Sequence, residues 1–160
     1  MKKLIILIGA PCAGKSTWSK NYVGKYPNTV RFNRDDIRLM LQGKLTLDNP
    51  SEEIVTSMIH EGMDTAVSLG KDIIVDQTNC KLKYIKGLID MVKNNPEIII
   101  KLKIIHQPLE LLLERNIERS RVMKTPLIPE HIIKNMYNNL NEMINSKEFK
   151  ELTSKYEYLV

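Results

Sequence analysis

The chain has 160 residues, 42% hydrophobic and 27% charged, with 24 basic against 19 acidic side chains and a formal charge of +5. This length and balance fit one globular domain with a real core, expected to run over residues 1–160, and leave no room for a second catalytic domain. The excess of positive charge favours anionic partners such as nucleotides or nucleic acid. Two cysteines, Cys12 and Cys80, exclude a disulfide framework and have no metal-site spacing, so a reducing, cytoplasmic setting is expected.

Lys2 and Lys3 before Leu4 to Ile8 imitate a signal peptide, but the apolar run is too short and Pro11 before Cys12 spoils a cleavage site. The run reads as a buried strand, and no other stretch nears the roughly 20 apolar residues of a bilayer span. Leu4 to Gly9, Thr29 to Phe32, Ile73 to Val75 and Ile98 to Ile105 are rich in Ile, Val and Leu without polar alternation and read as buried strands. Between them lie segments of helical period. Trp18 falls inside the first helix and reads as packing. Ser51 is the expected N-cap of a helix with Ile54, Val55, Met58, Ile59, Met63, Ala66 and Val67 on one face, ended by Gly70. Tyr84, Ile85, Leu88, Ile89 and Val92 mark another, closed by Asn95 and Pro96. Pro108 opens a helix through Leu112 and Leu113, and Pro129 opens the last, with Ile132, Ile133, Met136, Tyr137, Leu140 and Met143 on one face. Arg121 to Pro129, with two prolines and no period, reads as a mobile loop. The alternation predicts an α/β fold of three layers, a central parallel sheet flanked by helices, with ligands bound beyond the carboxyl ends of the strands.

Gly9-Ala-Pro-Cys-Ala-Gly14-Lys15-Ser16 matches the eight-residue phosphate-loop pattern between a strand and a helix. Glycines let the backbone curl so that its amides face phosphate oxygens, and the helix N-terminus adds partial positive charge. Gly9, Ala13, Gly14, Lys15, Ser16 and Thr17 are therefore the expected ATP-binding residues, with Lys15 on the terminal phosphates and the Ser16 hydroxyl on Mg2+. A guanine-reading Asn-Lys-x-Asp segment is missing, and the third strand ends Val75-Asp76-Gln77 where a helicase-type ATPase has an Asp-Glu pair. Phosphoryl transfer to an acceptor is the leading class.

Asn33-Arg34-Asp35-Asp36-Ile37-Arg38 follows the second strand. Asn33 or Asp35 suits a helix cap, and a carboxylate at this strand end also suits a general base, with Arg38 one turn on. Both readings are open here. Arg115 and Arg119 lie one turn apart, with Arg121 beyond; they suit either a solvated face paired with Glu114 and Glu118 or a cationic lid. Lys81, Lys83 and Lys86 around Tyr84 suit either a solvated face or a nucleic-acid guide. His60, His106 and His131 have no partner spacing.

Taken in order, Gly9 to Trp18, Asn33 to Arg38, Thr78-Asn79, Arg115-Asn116 and Arg119 resemble the polynucleotide 5′-hydroxyl kinase family of P-loop kinases, over roughly Met1 to Leu140. The resemblance implies ATP and Mg2+ as cofactors, Lys15, Asp35, Arg38 and Arg119 as catalytic residues, and Asp35, Arg38, Asp76 and Asn79 on the substrate. Asp35 is then the general base, Arg38 a clamp on the acceptor's phosphate and Arg119 a lid arginine on ATP. The partner implied is a 5′-hydroxyl end of DNA or RNA; a homo-oligomer is left open. The chain departs from the family at Cys12-Ala13, where Gly-Ser is common, so either Cys12 takes a conformation usually given to Gly or the loop differs slightly. Gln77 also separates Asp76 from Thr78-Asn79. No Asp-x-Asp-x-Thr or Lys-x-Asp-Gly motif of a phosphatase or ligase domain is present, so a stand-alone kinase is expected. The rival readings are a kinase for a small molecule (a nucleoside, sugar or antibiotic) and a nucleotide-binding module without transfer activity.

Overall fold

Leu4 to Ile8 are completely removed from solvent, because their strand lies at the middle of a parallel sheet and is covered on both faces. The structure, a computed structural model, describes residues 2–159. In chain order its elements are β1 (Lys2–Ile8), α1 (Lys15–Lys25), β2 (Thr29–Phe32), α2 (Arg34–Gln42), α3 (Asn49–Ser68) and β3 (Asp72–Val75). Then follow α4 (Leu82–Val92), β4 (Ile98–Ile104), α5 (Leu109–Met123), α6 (Glu130–Asn145), α7 (Lys147–Thr153) and β5 (Glu157–Tyr158). The sheet order is β2-β3-β1-β4-β5, every pair parallel, with Leu4 opposite both Ile73 and Ile100.

The pleat sorts the core into two faces. Leu4, Ile6 and Ile8 share a cluster with Val55, Ile59 and Met63 of α3, Ile85 and Ile89 of α4, Leu140 of α6 and Phe149 of α7. Ile5 and Leu7 point the other way, with Ile74, onto Trp18, Tyr22 and Val23 of α1. Each buried aliphatic side chain contributes about 1.5–3 kcal/mol. Trp18 therefore packs, stacked on Tyr22 with ring centroids 5.1 Å apart. A third cluster, Ala10, Ala13, Leu112 and Ile133, seats α5 and α6 on the phosphate loop. The three-layer α/β architecture is the one the alternation predicts.

Several ends differ from expectation. Asp48, not Ser51, caps α3, accepting from the Ser51 amide at 2.9 Å; Pro50 sits in the first turn, where its missing N–H costs nothing. Asn33, not Asp35, caps α2, its Oδ1 accepting from the Asp36 amide at 2.9 Å. The segment after α5 is anchored: Asn116 donates to the Ile128 carbonyl at 2.8 Å and accepts from its amide at 3.2 Å, and Ser120 donates to the Thr125 carbonyl. The short α7 and β5 had no apolar period to announce them. Among the described residues no helix is long and apolar enough to cross a membrane.

Candidate active site

The carboxyl ends of β1, β2 and β3 open into one cleft of about 610 Å³, roofed by α5 and α6. At its floor the phosphate loop needs unusual backbone. Gly14 has φ 103° and Cys12 φ 64°, so Cys12 does take the left-handed conformation that glycine occupies most cheaply. Gly9 is required for a different reason: a Cβ there would lie 2.4 Å from the Ile105 carbonyl oxygen. Lys15 is 8% exposed and donates from Nζ to the Ala10 carbonyl at 2.7 Å. Burial lowers its pKa, with Cys80 and Asp76 pulling the other way. Burial pushes the Cys12 thiol up although Arg119, Lys15 and Arg115 oppose it, and pushes Cys80 to about 11. Burial thus disfavours the thiolate at both cysteines, and three cations converge on the loop.

Behind the loop, Asp76 is 1% exposed. Its Oδ2 accepts from Arg31 Nε at 2.8 Å, Arg31 Nη2 at 2.6 Å and Ser19 Oγ at 2.8 Å. Arg31 also pairs with Asp36, and Asn33 Nδ2 donates to the Asp76 carbonyl at 2.8 Å. The other carboxylate oxygen, Oδ1, is buried with no hydrogen-bond partner. A buried carboxylate oxygen without a donor calls for a cation or its hydration shell. Asp76 and the Ser16 hydroxyl both line the cleft, so the donor set fits Mg2+ accompanying a nucleotide. No group of three or more His, Cys, Asp or Glu side chains gathers among the described residues, so such an ion would be held mainly by phosphate oxygens.

On the facing wall, Arg38 Nη1 donates to Asp35 at 2.7 Å, while its Nε and Nη2 grip both oxygens of Glu52 at 2.6 and 2.9 Å. Arg34 reaches the same Glu52 at 2.7 Å and Thr56 at 3.1 Å. The Arg38 hydrogen bonds, with Arg34, hold the Glu52 carboxyl at about 2. A depressed carboxyl contributes its stability above the ordinary carboxylate range and loses it only as pH falls towards that value, so this cluster stays intact through neutral and mildly acidic pH. Asp35 is more than half exposed and faces the cleft, where a carboxylate can take a proton.

Arg119 closes the cleft from α5. Its Nε and Nη2 are buried and unpartnered. Arg115 lies over the loop, donating to the Ala13 carbonyl at 3.4 Å, while Arg121 is exposed and pairs with Glu118 at 2.9 Å. The solvated-face reading therefore describes Arg121 and not Arg119.

Lys15, Ser16, Asp35, Arg38, Asp76, Asn79 and Arg119 all line this one cleft. Gly9, Ala13, Gly14 and Thr17 build the loop and the start of α1 beneath it. Asn79 is buried at φ 48° and donates to the Leu7 carbonyl at 2.8 Å, so it fastens the β3 loop to β1. Glu52, Arg31 and Ser19 were missed by sequence reasoning. Arg31 had a signal, a charge inside the apolar strand Val30-Arg31-Phe32; Glu52 had none, because only the packing of α2 on α3 brings it to Arg38.

The comparisons with known proteins fit this geometry. The family model described as AAA domain (AAA_33) matches residues 4–143. Over 97% of its length the chain is 31% identical to a protein of Autographa californica nuclear polyhedrosis virus named for a bifunctional polynucleotide kinase/RNA ligase, covering 23% of that protein. Over 84% it is 34% identical to the L-seryl-tRNA(Sec) kinase of Methanococcus maripaludis, covering 51% of it. Among solved structures, a chain of the Pnkp1/Rnl/Hen1 RNA repair complex superposes at a TM-score of 0.82 with 29% identity, over 94% of this chain and 46% of that one. The chain thus spans a quarter to a half of the curated relatives it matches. The family match over residues 4–143 and the superposition on the RNA repair complex lead to one assignment: the chain belongs to the AAA domain family AAA_33 and is a P-loop kinase domain similar to that of polynucleotide kinases.

Proposed function

We propose that this domain transfers the γ-phosphate of ATP to the 5′-hydroxyl end of DNA or RNA. The observation that carries the reading is the Asp35–Arg38 pair, 2.7 Å apart, on the wall of the same cleft whose floor holds Lys15 and whose roof holds the unpartnered donors of Arg119. That arrangement sets a proton acceptor and an anion clamp opposite a phosphate cradle. Lys15 binds the terminal phosphates. Arg119 turns its two buried donors to the transferring group and excludes water from it. Asp35 orients the attacking hydroxyl and takes its proton. The Ser16 hydroxyl and the unpartnered oxygen of Asp76 would hold Mg2+ accompanying ATP, which would supply charge neutralisation on the phosphates.

The second reading is a kinase for a hydroxyl other than a polynucleotide 5′ end, favoured by the 34% identity to a seryl-tRNA kinase. An acceptor panel with labelled ATP separates the two. Labelling of 5′-hydroxyl oligonucleotides supports the proposal. Labelling of nucleosides, sugars or an aminoacylated RNA alone supports the second reading, and nucleotide binding without any transfer overturns both.

Two variants test the acceptor wall. Asp35→Asn is expected to keep ATP affinity and lose about 10² to 10⁴ in turnover, the usual span for a general base. Because Asn33 is the cap of α2, the melting temperature should hold; a fully active Asp35→Asn enzyme returns this residue to the helix surface. Arg38→Ala is expected to lower kcat/KM for acceptors carrying a phosphate beside the reacting nucleoside. A phosphate reaching Arg38 must exchange with one of its carboxylates, so the net loss is nearer the lower end of a charged hydrogen bond, about tenfold. Competition between a nucleoside and its 3′-phosphate measures it; an equal fall for both assigns Arg38 to holding Glu52 alone.

A further inference from the structure

The first turn of α4 has a composition that helix N-termini disfavour. It has no acidic residue, its N-cap is Lys81 with no side-chain cap bond, and Lys83 follows. Neither lysine has an ion pair among the described residues, whereas Lys86, one turn on, is held by Glu148. Tyr84 stands in the same turn. Although half its surface is exposed, it lines the cleft shared by Asp35 and Arg38, and Lys83 Nζ lies 5.1 Å from the centre of its ring. The other aromatic pairs of the described residues, Trp18–Tyr22, Tyr22–Tyr26 and His106–Tyr137, leave Tyr84 out.

Packing accounts for Leu82 and Ile85 in this turn but not for Lys81, Lys83 and Tyr84. A half-exposed aromatic ring at the mouth of a reactive cleft, next to two unpaired lysines, matches what single-stranded nucleic acid requires, a stacking face for bases and a positive track for phosphates. A sugar or an amino acid offers no flat π-face for Tyr84 and at most one phosphate for the lysines. We infer that the first turn of α4 is a docking surface for the acceptor strand. Tyr84 stacks on a nucleobase of the first two nucleotides, and Lys81 and Lys83 contact the phosphates that follow. The inference rests on the polynucleotide reading and extends it, since it makes an unpaired end the preferred acceptor.

The test is a mutant cycle on the full chain, pairing Tyr84→Ala with 5′-hydroxyl oligonucleotides that are intact or abasic at either of the first two positions. On intact strands the variant should raise KM by about 5- to 150-fold, the span of one base–aromatic stack, with kcat at saturation unchanged. On the strand abasic at the stacking position the same substitution should change KM little, and Tyr84→Phe should behave as wild type. Lys81→Ala and Lys83→Ala should each flatten the dependence of log KM on log salt by about 0.7, the share of one phosphate on a single strand. An equal KM rise on intact and abasic strands, an unchanged KM, or an unchanged salt slope in both lysine variants overturns the docking surface while leaving the kinase reading intact. Wild type that labels no oligonucleotide overturns the docking surface and the polynucleotide reading together.

Discussion

Lys15→Met is expected to remove nearly all phosphoryl transfer while the protein stays folded. Among the described residues Lys15 is the only lysine lining the cleft, so no second ammonium is placed to replace it on the terminal phosphates. The fold should tolerate the change because two effects oppose each other. Methionine is close in shape and spares the protein a charge whose burial already lowers its pKa, but the Ala10 carbonyl loses its donor. Turnover with labelled ATP and a thermal melt, read together, check this. Near-normal turnover in a folded Lys15→Met protein would remove this cradle from the chemistry altogether.

Arg119→Ala has the second largest expected effect, and stability and activity should move in opposite directions. Leaving a buried donor unpaired costs about 1–3 kcal/mol, and Arg119 leaves two, Nε and Nη2, in that state. Removing the side chain therefore should not lower the melting temperature and is expected to raise it. Turnover should fall about 10³- to 10⁵-fold, as when a finger or lid arginine is taken from a phosphoryl-transfer site. Arg121→Ala is the matched control, since its exposed ion pair with Glu118 contributes about 0–1 kcal/mol and does not face the cleft. Loss of stability with unchanged turnover in Arg119→Ala would make this arginine a packing residue. Buried donors left unpaired at a functional group are the pattern expected where stability has been given up for activity.

How much could be read in advance depended on range. Gly9 to Ser16 was legible because the cradle's chemistry is local: eight consecutive residues supply the turn, the amides and the lysine, and of the two outcomes the family resemblance left open at Cys12 the backbone takes the left-handed one. The cap of α2 was narrowed to Asn33 or Asp35 but not chosen, since either side chain satisfies the local rule; the bond from Asn33 Nδ2 to the Asp76 carbonyl decides it from another strand. Ser51 was misread as a cap for a related reason, the start of α3 being set three residues earlier by the cap Asp48, with Pro50 in the first turn.

The sequence by itself determined the elements that depend on neighbours along the chain. Continuous apolar runs made β1 to β4, three- and four-residue apolar spacing made the long helices, and the phosphate loop fixed nucleotide chemistry. Only the tertiary structure decided which charges meet. Glu52 grips Arg38 from 14 residues away, and Arg31 is shared between Asp36 and Asp76 across three elements. The physical reason is that the order β2-β3-β1 brings three strand ends to one edge, where α2, α4 and α5 converge on a single cleft. Side chains far apart in sequence then lie within hydrogen-bond reach or, like those of Arg119 and Asp76, are buried there with atoms left unpaired.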